Sequence, residues 1–76
     1  MTWTWKEIKK SANYDALNML IYIEVHGDKR EATKIVNEYM DVWGHIPIRD
    51  EISDFIWFRL PCLMNMDYSG ILPYYR

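Results

Sequence analysis

Three side chains in this 76-residue chain are of the kind that binds soft or borderline metals: His26, His45 and Cys62. They stand 19 and 17 residues apart. Zinc sites are usually built from closely spaced ligand pairs, so that one turn or one helix face delivers two ligands at once. No such pair occurs here, and neither a metal nor another cofactor is expected. The candidate nucleophiles are Cys62, Ser11, Ser53 and Ser69. None lies in a nucleophile elbow or next to a histidine. Asp50, Glu51 and Asp54 form a carboxylate cluster, and paired carboxylates do acid–base work when burial drives their pKa values apart. At a helix start such groups more commonly cap the helix and complement its dipole. Gly27, Gly44 and Gly70 are dispersed and build no phosphate-cradling loop. The expectation is a chain that is not an enzyme and takes no small-molecule substrate.

Two other groups of residues are suited to binding. Lys6, Lys9 and Lys10 share one side of the expected first helix, next to Trp3 and Trp5. Basic groups beside stacking rings are the parts of a single-strand nucleic-acid binder. Arg30 and Lys34 make a second basic spot. Acidic residues nevertheless outnumber basic ones by 11 to 9, for a net charge of −2, and no helix carries the dense basic face of a groove reader. Nucleic-acid association through Lys6, Lys9 and Lys10 is therefore the alternative reading. The second group is the run DFIWFRLPCLMNM, residues 54–66, followed by an aromatic tail. Protein interfaces favour Trp, Tyr, Met and Arg, and this chain has four Trp, six Tyr and five Met. Trp57, Phe58, Tyr68, Tyr74 and Tyr75 are the candidate protein-binding anchors, with Arg59 at the rim.

These residues have to be positioned by a small scaffold, a single domain spanning residues 1–76. A domain of this size buries only about 60% of the surface its unfolded chain exposes. With half its residues apolar, the chain folds but leaves apolar surface outside, and such patches mark contacts. Self-association, most simply as a homodimer through the fourth helix and the tail, would extend the core. The longest uncharged runs are eight residues, such as Ala16 to Ile23, against roughly 20 for a membrane-spanning helix. No membrane span is expected. One cysteine excludes an internal disulfide, and nothing resembles a signal peptide, so the expected location is cytoplasmic.

The periodicity predicts an all-α fold: a compact bundle of three main helices, a short N-terminal helix and an irregular aromatic C-terminal tail. Thr4 and Glu7 fit a capping box. The segment SANYD, residues 11–15, competes with the helix for backbone bonds and predicts a break with Asn13 as the next cap. Residues 16–27, ALNMLIYIEVHG, alternate over Ile21, Ile23 and Val25 like a strand, yet place Ala16, Met19, Leu20 and Ile23 on one helical face. Helix is the favoured reading, with Gly27 as its end, and it should be the most buried element. One continuous helix from Trp5 to His26 remains the alternative. Asp28 starts a third helix with an apolar stripe of Ala32, Ile35, Val36, Tyr39, Met40 and Trp43. Its opposite face carries Arg30, Lys34, Asn37, Glu38 and Asp41, and Gly44 ends it. Asp50 is the expected cap of a fourth helix, with Ile52, Phe55, Ile56, Arg59 and Leu60 on one side, Trp57 flanking it and Phe58 on the polar side. Pro61 is expected to stop it. In the tail, Tyr68, Ile71, Leu72 and Tyr74 are expected to wrap back over the helices.

Two short stretches resemble known proteins. Residues 13–40 resemble one helical hairpin of the tetratricopeptide-type repeats, which implies a helix–turn–helix; there is no second copy, and a solenoid needs several. The five residues EISDF, Glu51 to Phe55, loosely resemble the peptide by which partners dock on bacterial sliding clamps (Gln, Leu, Ser or Asp, Leu, Phe). Glu51 replaces the Gln, Ile52 the first Leu, and Asp54 the second Leu, which departs from the apolar pattern. The expected function is a small protein-binding regulator, inhibitor or adaptor of the size often encoded by phages and other mobile elements.

Overall fold

The computed structural model describes residues 2–66, and Tyr68, Ile71, Leu72, Tyr74 and Tyr75 lie outside the described residues. The described part is all-α, with no strand among these residues: α1 (Trp5–Ser11), α2 (Tyr14–His26), α3 (Lys29–Trp43) and a fourth helix in three consecutive pieces. Those pieces are α4 (Arg49–Asp54), a π-helical turn (Phe55–Arg59) and α5 (Leu60–Leu63). The capping signals act as the sequence indicates. Thr4 Oγ1 accepts from the Glu7 amide at 3.2 Å, and Glu7 Oε1 accepts from the Thr4 amide at 3.2 Å. Asn13 Oδ1 accepts from the Ala16 amide at 2.9 Å, so α1 and α2 are two helices with a break at Ala12 and Asn13. Asp28 Oδ1 accepts from the Arg30 amide at 2.9 Å and starts α3.

The core lies where α2 meets α3 and the fourth helix. Ala16, Met19, Leu20 and Ile23 of α2, Ala32, Val36 and Met40 of α3, and Ile52, Phe55, Ile56 and Leu60 of the fourth helix are all buried, and Ile8 and Ala12 close one side. Helix α1 packs on α3 and α4, and α5 packs on α3. The strand-like alternation of Ile21, Ile23 and Val25 does not decide the conformation: Ile23 faces the core, while Ile21 and Val25 face solvent with Tyr14. Helix α2 is thus central but not enclosed, because this few helices cover only one side of it.

Two polar contacts between residues far apart in sequence tie the bundle. Ser53, buried in α4, accepts from the Asn13 amide at 2.9 Å and fixes the break between α1 and α2 onto the fourth helix. Asn37 does not lie on the solvent face as its position in the α3 pattern suggests. Its Oδ1 accepts from the Trp3 amide at 2.7 Å, and its Nδ2 donates to the Trp3 and Thr33 carbonyls at 2.9 Å each. One amide side chain thereby holds the extended N-terminal segment against α3. The expected exposed pair Lys34–Glu38 forms at 4.0 Å, a geometry that contributes little to stability.

The fourth helix departs most from expectation. It starts at Arg49 with Ile48 in the cap position, so Asp50 belongs to the first turn and does not cap. The capping interaction is instead Glu51 Oε1 accepting from the Ile48 amide at 3.1 Å. Pro61 does not stop the helix. The Leu60 amide donates to the Phe55 carbonyl, five residues back, and the chain then runs helically through a buried Pro61 to Leu63. A proline inside a helix has no amide to donate, and its ring crowds the carbonyl four residues earlier. A wider turn just before it relieves both problems. Arg59, which regular spacing groups with Ile52, Ile56 and Leu60, is exposed, as a rim residue would be, and Pro61 is buried. Past Leu63 the Met66 amide bonds the Pro61 carbonyl at 2.9 Å. Met66 then lies against Gly27, where an added β-carbon would meet its Sδ and Cε at 3.0 Å.

Two substitutions test this account. Gly44 ends α3 at φ 71° with nothing crowding it. Gly44→Ala should destabilise the protein by about 1–2 kcal/mol, the cost of a β-carbon in the left-handed region, and Gly44→Asn by less. Asn37→Ala leaves the Trp3 backbone groups without partners and should cost about 1–3 kcal/mol. Urea unfolding followed by tryptophan fluorescence measures both.

Candidate functional site

The π turn sets the geometry of the face around Phe58. Phe55 and Ile56 point into the core and Trp57 is half-buried against it, while Phe58 is 63% exposed. On one side of Phe58 is a cleft of about 250 Å³ lined by Tyr39, Trp43, Glu51, Asp54, Phe55, Phe58 and Arg59. Its wall is a set of interlocked rings: Tyr39 lies 4.5 Å from Phe55, Trp43 stands edge-on to Phe55 at 5.5 Å, and Tyr39 and Trp43 are 6.3 Å apart. The Arg59 guanidinium sits 5.9 Å from the Tyr39 ring centre and donates to its hydroxyl at 3.4 Å. On the other side of Phe58 is a cleft of about 220 Å³ with Asn13, Asp15, Ser53, Asp54 and Trp57. Phe58 is therefore a ridge between two clefts, bordered by three carboxylates and one guanidinium.

His45 braces this face from the loop after α3. Its Nε2 is 3.2 Å from Glu51 Oε2, its Nδ1 is 3.1 Å from the Trp43 carbonyl, and its ring stacks on Trp43 at 6.4 Å. Both nitrogen partners are acceptors, so the full set of bonds forms when the ring carries both protons. The Ile48 amide, and after it the His45 ring, hold the Glu51 carboxyl below its ordinary value of 4.5.

A second surface shares no residue with the first. A groove of about 530 Å³ is lined by Trp5, Lys6, Lys9, Lys10, Ala12, Leu17 and Arg49. The structure thus brings the three sequence-predicted lysines together with Trp5. It does not bring Trp3 to them, because Trp3 is held on Asn37. Lys9 pairs with Glu24 at 3.2 Å. That lysine is the main reason the Glu24 carboxyl lies below its ordinary value, with a smaller contribution from the nearby Trp5 indole. The Trp5 Nε1 itself is buried without a hydrogen bond of good geometry.

Of the protein-binding candidates, Phe58 and Arg59 are exposed together and Trp57 flanks them, while Tyr68, Tyr74 and Tyr75 lie outside the described residues. Sequence reasoning missed Tyr39 and Trp43 as cleft walls, since their spacing marks them as core. It also missed Leu17 and Arg49 in the groove, which only tertiary packing brings beside the lysines. The sliding-clamp likeness of Glu51–Phe55 does not supply an accessible peptide: Ile52, Ser53 and Phe55 are buried and helical or π-helical. Among the described residues no three His, Cys, Asp or Glu side chains converge as a metal site, and no helix is long and apolar enough to cross a membrane. His26 packs on Tyr22 with ring centres 4.6 Å apart, and Cys62 is exposed. The chain matches no known protein family, no curated protein and no solved structure.

Glu51 gives the face a pH dependence of defined sign. Its carboxyl titrates lower in the folded chain than its ordinary value of 4.5. The stabilisation is present above that value and is lost as pH falls through the lower, folded-state value. Glu51→Gln should flatten this part of the acid limb, seen as a smaller drop of the thermal midpoint between neutral and acidic buffer.

Proposed function

We propose that this chain is a small non-enzymatic protein-binding module that docks through the Phe58 ridge and its two clefts. The observation that carries the reading is the large aromatic ring exposed in the middle of a helix that is fixed on both sides. Exposed apolar side chains are common singly. An aromatic ring between two concavities, with Trp57 and Arg59 at its edges, has the composition of an interface anchor. The surrounding rings lock Tyr39, Trp43 and Phe55 before any partner arrives, so little side-chain freedom is lost on docking. Carboxylates of Asp15, Glu51 and Asp54 border the ridge, which favours a partner segment that is apolar at its centre and basic at its edges. A regulator, inhibitor or adaptor role follows from such a module, and a second copy of the chain is one partner of the right size.

Phe58→Ser is the decisive variant, because the ring is mostly outside the core. It should leave helicity and unfolding midpoint close to those of the parent. In affinity capture with the intact chain as bait, a specific partner should be retained by the parent and lost from Phe58→Ser, a weakening of about 2 kcal/mol or more in binding if the ring is an anchor. Equal retention of every captured protein by both forms would overturn the reading.

A further inference from the structure

The lysine groove has no part in that reading, yet its chemistry complements the Phe58 face. Four cations line it (Lys6, Lys9, Lys10 and Arg49), with no carboxylate among the lining residues. Lys9 is answered by Glu24. Lys6, Lys10 and Arg49 make no ion pair among the described residues and stand around an apolar floor of Trp5, Ala12 and Leu17. The Phe58 face presents the reverse: an exposed ring, three carboxylates and a single guanidinium that Tyr39 already holds. Each surface lacks what the other has.

We propose that the groove receives the Phe58 face of a second copy, so that the chain associates head to tail. In this contact the Phe58 ring of one copy seats on Trp5, Ala12 and Leu17 of the next, and the carboxylates of Asp15, Glu51 and Asp54 meet Lys6, Lys10 and Arg49. The inference rests on the reading that the Phe58 face docks protein, and it names the partner. Like-charge repulsion argues against the simpler twofold dimer through the same face, since that dimer would set each copy's Asp15, Glu51 and Asp54 against the same three groups. The groove volume of about 530 Å³ accommodates a phenyl ring with its flanking groups. A net charge of only −2 puts little long-range repulsion between copies. Nucleic acid is the less favoured occupant, because the whole chain carries more acidic than basic groups and Trp3 does not line the groove. A head-to-tail contact leaves every assembly with one free ridge at one end and one free groove at the other, so growth continues into open chains or closes as a ring.

Two variants block opposite ends: Lys6→Glu with Lys10→Glu removes the groove, and Phe58→Ser with Asp54→Lys removes the ridge. Circular dichroism confirms that both remain helical. In sedimentation velocity the parent should grow with concentration past a dimer and should shrink as ionic strength rises. Each variant alone should stay at the monomer mass of 9.2 kDa. An equimolar mixture should form a dimer and stop there, because one intact ridge meets one intact groove and both free ends are dead. If the groove variant does not fold, Lys6→Ala with Lys10→Ala takes its place, with an expected loss of about tenfold or more in association.

A parent that stays monomeric at all concentrations overturns the proposal. So does a dimer abolished by Phe58→Ser alone and untouched by charge reversal in the groove, which is the twofold arrangement. Failure of the mixture to pair overturns it as well. If the monomeric parent binds a labelled single-stranded oligonucleotide and the groove variant does not, the groove serves nucleic acid instead. In any of these cases, a foreign partner captured through Phe58 leaves the protein-binding reading standing, so the two fail separately.

Discussion

Pro61 has no amide hydrogen, and the helix around it is built on that constraint. In a regular helix of 3.6 residues per turn, the buried face that begins at Ile52 and Ile56 would continue through Arg59 and Leu60. Burying the Arg59 guanidinium without a charged partner would be costly. The wide turn closed by the Leu60 amide and the Phe55 carbonyl advances the phase by about one residue. Leu60 and Pro61 then occupy the buried face, and Arg59 swings out to the Tyr39 ring. Phe58 stays on the outer side, where regular spacing also places it. One local irregularity thus removes a proline from conflict and spares a charge from burial, while the exposed ring keeps its outward position.

The rest of the architecture serves to hold that helix. Helix α2 packs along α4 and the π turn, and α3 packs on both α2 and α5. Ser53, the one buried polar residue among the described residues, uses its hydroxyl to accept from the Asn13 amide. That bond connects the break between α1 and α2 to the start of the fourth helix, so it also sets Leu17 and Arg49 beside the lysines of α1. The ridge and the groove are consequently placed by the same packing, although they share no residue. A chain this short cannot wrap both sides of its helices, and Tyr14, Ile21, Val25 and Val42 stay exposed as a result. Such scattered apolar side chains follow from small size alone. Phe58 differs from them because clefts flank it and charged groups border it.

The helices and most of their ends were legible in the residues. Thr4, Asn13 and Asp28 act as caps and Gly44 as a stop because each reads a bond made within a few residues, which is what sequence spacing encodes. The buried face of α3 was legible for a similar reason: its period matches the helix. What failed had its cause either elsewhere in the fold or in a local competitor for the same bond. Asn37 sits among charged neighbours in sequence, but Trp3 arrives from 34 positions away to claim it. Asp50 looks like a cap until Glu51 reaches the Ile48 amide first. Pro61 was expected to end the helix, so neither the wide turn before it nor its own burial was foreseen. The candidate ridge was half legible, since Trp57, Phe58 and Arg59 are contiguous. The Tyr39 and Trp43 walls and the Arg49 side of the groove were not, as each depends on which helix lies beside which.

Composition concealed the electrostatics. A net charge of −2 describes a weakly acidic chain with its charges interleaved, and along the sequence they are. The fold sorts them: helix α1 contributes lysines at 6, 9 and 10 to a groove that Arg49 completes, while Asp15, Glu51 and Asp54 collect around Phe58. At physiological salt a charge acts over roughly 8 Å, so a partner meets one of these surfaces rather than the average. Affinity on either surface would therefore be set by local groups, and the sum over the chain would govern only the weak long-range approach. The apolar centre of each surface supplies attraction without direction, and the charges around it supply register. In a 76-residue chain that cannot cover its own rings, this separation of charge gives its two candidate surfaces opposite local fields.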